Sequence, residues 1–234
     1  MNAQNHTLNT PDSMLLLHDM VNHTNALGPG TRCAVWFQGC ERGCPGCMTP
    51  DSQPFDRGAL VPVRSAMDAI ASLRDIEGVT ISGGEPFLQV SALHSLTKMI
   101  REQTDLGIII YTGYLLEELR AMKDRRVCDI ITGGADIVID GPYIENLNDG
   151  MSLRGSSNQR VHFITERYLS QKDTYERNIR QTEAYVSEGR ALLVGIPEKK
   201  ALDAWKKVRE DLIEQDGLLY MEGTATRCTI LTQP

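Results

Sequence analysis

Short apolar runs alternate with amphipathic stretches along most of this chain, and the alternation limits the folds open to it. Residues 31–37, 79–82, 106–111, 137–140, 161–164 and 191–196 read as buried strands, with 15–18 as an earlier one. Between them, apolar residues recur at helical spacing. Met67, Ile70, Ala71 and Arg74 share one face of a helix opening after Pro62. Leu93, Leu96, Thr97 and Ile100 share a second face, and Leu115, Leu116, Leu119 and Met122 a third. Leu202, Trp205, Val208, Leu212 and Ile213 form a C-terminal stripe. Strands alternating with helices imply a parallel sheet with crossover helices. A chain of 234 residues without internal repeats suits a single domain spanning 1–234. Within it, residues 1–13 read as a flexible N-terminal extension and 217–234 as a tail with no assigned element.

The chemistry-bearing residues follow the strand ends. Cys40, Cys44 and Cys47 stand in the spacing C-x3-C-x2-C directly after the strand at 31–37. Thiolates are soft ligands suited to iron–sulfur clusters, zinc or copper(I). A cubane cluster usually takes four Cys, so a three-Cys loop leaves one iron open to a small molecule. A structural zinc site and a disulfide are the alternatives, although no second Cys or Cys/His pair follows Cys47. Gly83-Gly84-Glu85-Pro86 ends the next strand, where glycines allow close backbone approach to a ligand; an ordinary strand-to-helix turn is the other reading. Tyr111 and Asp140 end two more strands. The block 153–160 is dense in donors, and Arg154, Ser156, Asn158 and Arg160 suit ribose hydroxyls or a carboxylate, or else a polar surface turn. Active sites of parallel α/β barrels gather at the C-terminal strand ends.

Composition removes some classes of function. A net charge of −7 gives non-specific nucleic-acid binding no electrostatic basis. No run is apolar and long enough for a signal peptide or a membrane span, so the chain is expected in the cytoplasm with its thiols reduced. Cys33, Cys128 and Cys228 are scattered and read as small buried hydrophobes. His162 lies in an apolar strand and reads as a core residue.

Over roughly residues 14–165 these motifs resemble the radical S-adenosylmethionine (SAM) enzymes. Within them the chain is most similar to the glycyl-radical-enzyme activases, on the anaerobic ribonucleotide-reductase branch. The resemblance is carried by Gly28-Pro29-Gly30-Thr31-Arg32, by Trp36 through Cys47, by Thr49-Pro50 and by Ser82-Gly83-Gly84-Glu85-Pro86. Tyr111-Thr112-Gly113, Asp140-Gly141-Pro142-Tyr143 and the block 153–160 follow in the family's order. Trp36, Thr49 and Pro142 depart from the pattern. So does Gly46, where many relatives carry an aromatic residue that meets adenine.

The resemblance implies an incomplete parallel (β/α) barrel of the radical SAM type. Cys40, Cys44 and Cys47 would ligate three irons of a [4Fe–4S] cluster, and SAM would chelate the fourth. Gly83, Gly84 and Glu85 would bind the SAM amino group. Gly46, Ser82, Pro86, Tyr111, Asp140, Arg154, Ser156 and Asn158 would complete the cofactor site. Reductive cleavage would give a 5′-deoxyadenosyl radical, abstracting hydrogen from a glycine of a large glycyl-radical enzyme. A one-electron donor such as flavodoxin or ferredoxin would serve it. A stand-alone radical SAM enzyme modifying a small molecule or peptide is the alternative, and an iron–sulfur electron carrier a third reading.

Overall fold

The computed structural model describes residues 14–151, 153–177, 180–187, 190–205 and 207. The chain opens with an antiparallel pair, β1 (Met14–Thr24) and β2 (Arg32–Phe37), and β3 (Ala59–Pro62) adds to the outer edge of β1. Next come α1 (Val63–Ser72), β4 (Gly78–Gly83), α2 (Val90–Gln103) and β5 (Gly107–Tyr111). They are followed by α3 (Leu116–Ala121), α4 (Arg125–Asp129), β6 (Ile137–Asp140) and β7 (Arg160–Phe163). Last are α5 (Lys172–Arg177), β8 (Thr182–Ser187) and β9 (Arg190–Gly195). Seven strands form one mixed sheet in the order β3-β1-β2-β4-β5-β6-β7, while β8 and β9 pair apart from it.

The central strands β2, β4, β5 and β6 are parallel, as the alternation predicts. Their register sets Phe37 beside Gly83 and Tyr111 beside Ile139. All four C-terminal ends therefore share one edge of the sheet, and the motif-bearing loops share it too. Side chains alternate across a strand, so each strand feeds two layers. Cys33, Val35, Phe37, Val79, Ile81, Ile108, Ile110 and Val138 face α1, α2 and α3, meeting Met67, Ile70, Leu93, Leu96 and Leu119 in the main core. Among the described residues the opposite face carries no helical layer of this kind. Ala34 and Trp36 pack there against Val194 and Ile196, and Ile109, Ile137 and Ile139 against Leu153 and Tyr168.

That second face also holds a fully buried arginine. Arg32 donates to Thr80 Oγ1 (2.6 Å), Tyr168 Oη (3.1 Å) and the carbonyls of Pro29 (3.1 Å), Val79 (2.8 Å) and Gly107 (2.9 Å). A buried guanidinium is tolerable only with its donors satisfied, and here neutral acceptors satisfy them.

Several expectations need correction. The strand at 160–163 runs antiparallel to β6. The connection from β6 contains a loop and one 3-10 turn, not the crossover helix a parallel return requires. The strand at 190–195 joins no parallel array either, pairing antiparallel with β8. Among the described residues the sheet is thus mixed and open. Ala71 and Arg74 are exposed, because the buried face of α1 runs through Val63, Ala66, Met67 and Ile70. Cys128 is exposed on α4, where Val127 takes the inward position; Cys33 is buried as expected. Leu202 is buried, whereas Val208, Leu212, Ile213 and Cys228 lie outside the described residues, as do 1–13 and 217–234. Among the described residues no helix is long and apolar enough to cross a membrane.

Candidate active site

The cysteine loop is built onto the end of β2 by backbone contacts. Gly39 N donates to Ser52 O (2.7 Å), Cys40 N to Gln53 O (2.9 Å) and Cys47 N to Cys44 O (3.1 Å). The buried Gln38 amide fixes the return of the loop, donating to Asp51 O (3.0 Å) and Pro54 O (2.6 Å). Gly84 lies against this base. A Cβ there would fall on Gly39 O, and Glu85 N donates to that same carbonyl (2.9 Å). Gly83 has φ +112 and crowds the backbone of Phe37. The two glycines are therefore required by the contact between the cysteine loop and the end of β4, a reason additional to ligand approach.

Glu85 ties two strand ends together. Its carboxylate is fully buried and accepts from Phe87 N (3.0 Å), Thr112 Oγ1 (2.8 Å) and Gly113 N (2.7 Å). Burial raises this carboxyl to about 7, and the three donors and the Arg42 charge offset only part of that rise. Arg42, inside the cysteine loop, reaches across to the same place. It donates to Gly113 O (2.7 Å) and stacks 4.6 Å from the centre of the Tyr114 ring. Burial likewise pushes the Cys40 thiol up to about 11, with the Arg42 N–H on its sulfur (3.4 Å) lowering it in part.

These groups surround a cavity of about 150 Å³ at the C-terminal strand edge. Cys40, Cys44, Cys47, Ser82, Gly83, Gly84, Glu85 and Tyr111 all line it, so eight of the residues expected from the sequence meet in one place. Six do not line it. Gly46 is backed by the Glu145 carboxylate, and Pro86 is buried at the start of the 3-10 turn before α2. Arg154 pairs with Asp149 (3.0 Å), Ser156 Oγ accepts from Ile144 N (3.1 Å), and Asn158 donates to Pro142 O (2.8 Å). Asp140 is engaged structurally. It accepts from Leu116 N (2.7 Å) at the start of α3, lies 3.1 Å from His162 Nε2 and pairs with Arg160, which also binds Glu117. Burial works to raise the Asp140 carboxyl, and the Arg160 hydrogen bonds outweigh it and hold it low. His162 is thus a partly exposed partner of Asp140, not a core residue.

The sequence reading missed other parts of the wall. Thr112 and Gly113 lay inside quoted motifs without a role, and Gln159 stood in the donor-rich block that suits ribose hydroxyls or a carboxylate without being singled out. Gln159 joins the loops after β6 and before β7, accepting from Gly155 N (2.8 Å) and donating to Gly141 O (2.8 Å). Trp36, Tyr143, Gly195 and Ile196 supply apolar wall. The last two come from the β9 end and carried no motif that the reading recognised. Tyr111 donates its hydroxyl to Leu153 O (2.7 Å), which fixes its ring at the cavity edge.

No group of three or more His, Cys, Asp or Glu among the described residues is gathered to hold a single metal ion. The donor set fits a wider group. Three soft thiols line one chamber with the Gly83-Gly84 backbone on a further side, as a thiolate-held cluster with a bound small molecule requires.

Comparison with known proteins agrees with this chemistry. A family model described as a 4Fe-4S single cluster domain matches residues 26–162. The anaerobic ribonucleoside-triphosphate reductase-activating protein of Salmonella typhimurium is 34% identical over 154 residues, covering 62% of this chain and 94% of the relative. That of Escherichia coli K12 is 35% identical over 156 residues with the same coverage, and that of Enterobacteria phage T4 is 30% identical over 146 residues, covering 59% and 88%. Among solved structures, QueE from Escherichia coli is similar over 43% of this chain and 52% of its own at 19% identity, with a TM-score of 0.37. The chain belongs to the 4Fe-4S single cluster domain family, among the anaerobic ribonucleoside-triphosphate reductase-activating proteins.

Proposed function

We propose that this protein is a radical SAM activase that installs a glycyl radical on an anaerobic ribonucleoside-triphosphate reductase. The carrying observation is that Cys40, Cys44, Cys47 and Gly83-Gly84-Glu85 line one cavity at the C-terminal strand edge. Its relatives' names support this reading over a stand-alone enzyme acting on a small molecule.

The cofactors are a [4Fe–4S] cluster and SAM, which when bound supply one-electron reduction and hydrogen-atom abstraction. Cys40, Cys44 and Cys47 hold three irons. Gly83 and Gly84 present backbone at the chamber wall, and the buried Glu85 holds the ends of β4 and β5 at fixed separation. Arg42 lines the chamber, although it also pairs with Glu118 (3.6 Å), whereas Arg154 and Arg160 are held in ion pairs away from it, so by position Arg42 is the better placed cation for a bound carboxylate. Trp36, Tyr111, Tyr143 and Ile196 give that space an apolar wall, which would help to shield a reactive species there.

The finer architecture follows the same reading. The four parallel strands are the core of an incomplete barrel, and the chain forms a single domain. A cytoplasmic setting keeps the thiols reduced, and a flavodoxin- or ferredoxin-type donor supplies the electron. The test is to mix reconstituted protein, SAM and reductant with the reductase of the same organism. A doublet EPR signal that collapses when the target glycine carries deuterium is the expected result. A silent reductase, together with a metabolite that accelerates SAM cleavage and is itself changed, would overturn the proposal.

A further inference from the structure

The target of such an activase is itself a protein, so part of it must reach the chamber, and this surface therefore rests on the activase reading. The loops at the C-terminal strand edge, where the chamber opens, carry large apolar side chains that stay partly exposed. Phe55 is 39% exposed, Leu115 37%, Ile144 40% and Leu147 41%. Each is tied to a chamber-lining residue. Phe55 follows Gln53 by two positions, Ile144 directly follows Tyr143, and Leu115 would contact a Cβ at Gly141 at 3.5 Å. Leu147 N donates to Ile144 O (2.9 Å), which closes the 3-10 turn between them. Glu145, within that turn, lies against Gly46 of the cysteine loop, which sets the turn beside the thiols.

Isolated exposed apolar residues are ordinary, but these four come from the loops after β2, β5 and β6, which leave the same edge of the sheet as the chamber. Exposed carboxylates stand beside them in sequence at Glu41 and Asp56, whereas Glu117 is taken up by Arg160. All four also fall within residues 26–162, the stretch matched by the family model. We propose that Phe55, Leu115, Ile144 and Leu147 form the docking rim for the reductase, and that the docking segment is apolar with basic flanks. Burying apolar anchors at the centre of a polar rim is how interfaces gain most of their binding energy. Opposite charge at the edge would speed encounter and make it salt-sensitive.

The experiment uses the full-length protein with its cluster and the cognate reductase. Binding is measured anaerobically for the parent, for the double variant Ile144→Asp/Leu147→Asp, and for Leu60→Asp and Leu169→Asp, two exposed apolar positions away from the mouth (54% and 51% exposed). The rim variant should bind about tenfold more weakly, as loss of one anchor pair predicts. It should also give less glycyl radical at limiting reductase, with iron content and uncoupled SAM cleavage unchanged. The two distant variants should match the parent. Equal binding by the rim variant and the parent, or equal weakening by the distant variants, would overturn the docking rim. Should the rim variant lose its cluster, amide exchange on the parent decides. Reductase should slow exchange at 115–119 and 143–148, and no slowing there would overturn the rim. A parent that makes no radical at all would instead sink the activase reading, and the rim with it.

Discussion

Glu85 combines two demands at a single carboxylate. It must join the ends of β4 and β5, and it must do so without water. Its carboxyl is raised to about 7, so the protonated form is favoured in the folded chain relative to the unfolded one. The linked stability is therefore fully present below the ordinary carboxylate value and is lost as pH rises through about 7. We predict that the unfolding midpoint of the metal-free chain falls as pH rises from about 5 to about 7 and levels off above, on the order of one titrating group. Glu85→Gln should flatten that slope while costing about 1–3 kcal/mol for a mispaired amide. A second residue-level prediction concerns the thiols. Alanine at Cys40, Cys44 or Cys47 should take iron from about four per chain to near zero, and Cys128→Ala should leave it unchanged. Full iron retention in Cys44→Ala would remove the ligand assignment. The thiols and Gly83-Gly84-Glu85 were legible because their spacing is local. Arg160 was not, because the carboxylates that occupy it are distant, Glu117 at 43 positions and Asp140 at 20, whereas Arg154 is taken by Asp149 only five positions away. A row of letters shows a cation but not the carboxylate that folding places beside it.

At the scale of elements, the sequence conveyed position better than direction. The strand at 137–140 was bounded correctly because all four residues are buried and β-branched or capped by Asp140. The strand at 160–163 was also found, yet its antiparallel course was not, since periodicity is the same whichever way a strand runs. β8 was missed altogether: Thr182–Ser187 carries Glu183 and polar ends, and its pairing with β9 is what makes it a strand. The contact between the cysteine loop and β4 gives a further prediction. Gly84→Ala sets a methyl on the Gly39 carbonyl, and neither backbone can yield without moving the other. Stability should fall by about 1–3 kcal/mol, as overpacking typically costs. Reconstituted iron should fall with it, because Cys40 is the next residue after Gly39. Normal iron loading in a folded Gly84→Ala protein would show that the loop does not need this base.

Across the whole molecule, the sheet is covered differently on its two sides. Helices bury one face, and the other depends on Arg32, Tyr168, Leu153, Val194 and Ile196. Arg32→Met should leave the Val79 and Gly107 carbonyls without this donor and cost about 3 kcal/mol or more, measured by denaturant unfolding. Tyr168→Phe removes one acceptor of Arg32 together with the hydroxyl's own donation to Glu77 (3.0 Å), and should cost about 1–2 kcal/mol. A cost for Arg32→Met no larger than that for Tyr168→Phe would mean that the guanidinium contributes shape and not hydrogen bonds. The uneven covering also has a consequence for biosynthesis. The three thiols leave the ribosome some 150 residues before Ile196 does. At ordinary translation speeds that interval is on the order of ten seconds or more. For that time the helical side of the core can assemble while the far wall of the chamber has not yet been made. The nascent thiols then stand open both to the machinery that delivers iron and sulfide and to any oxidant that arrives first.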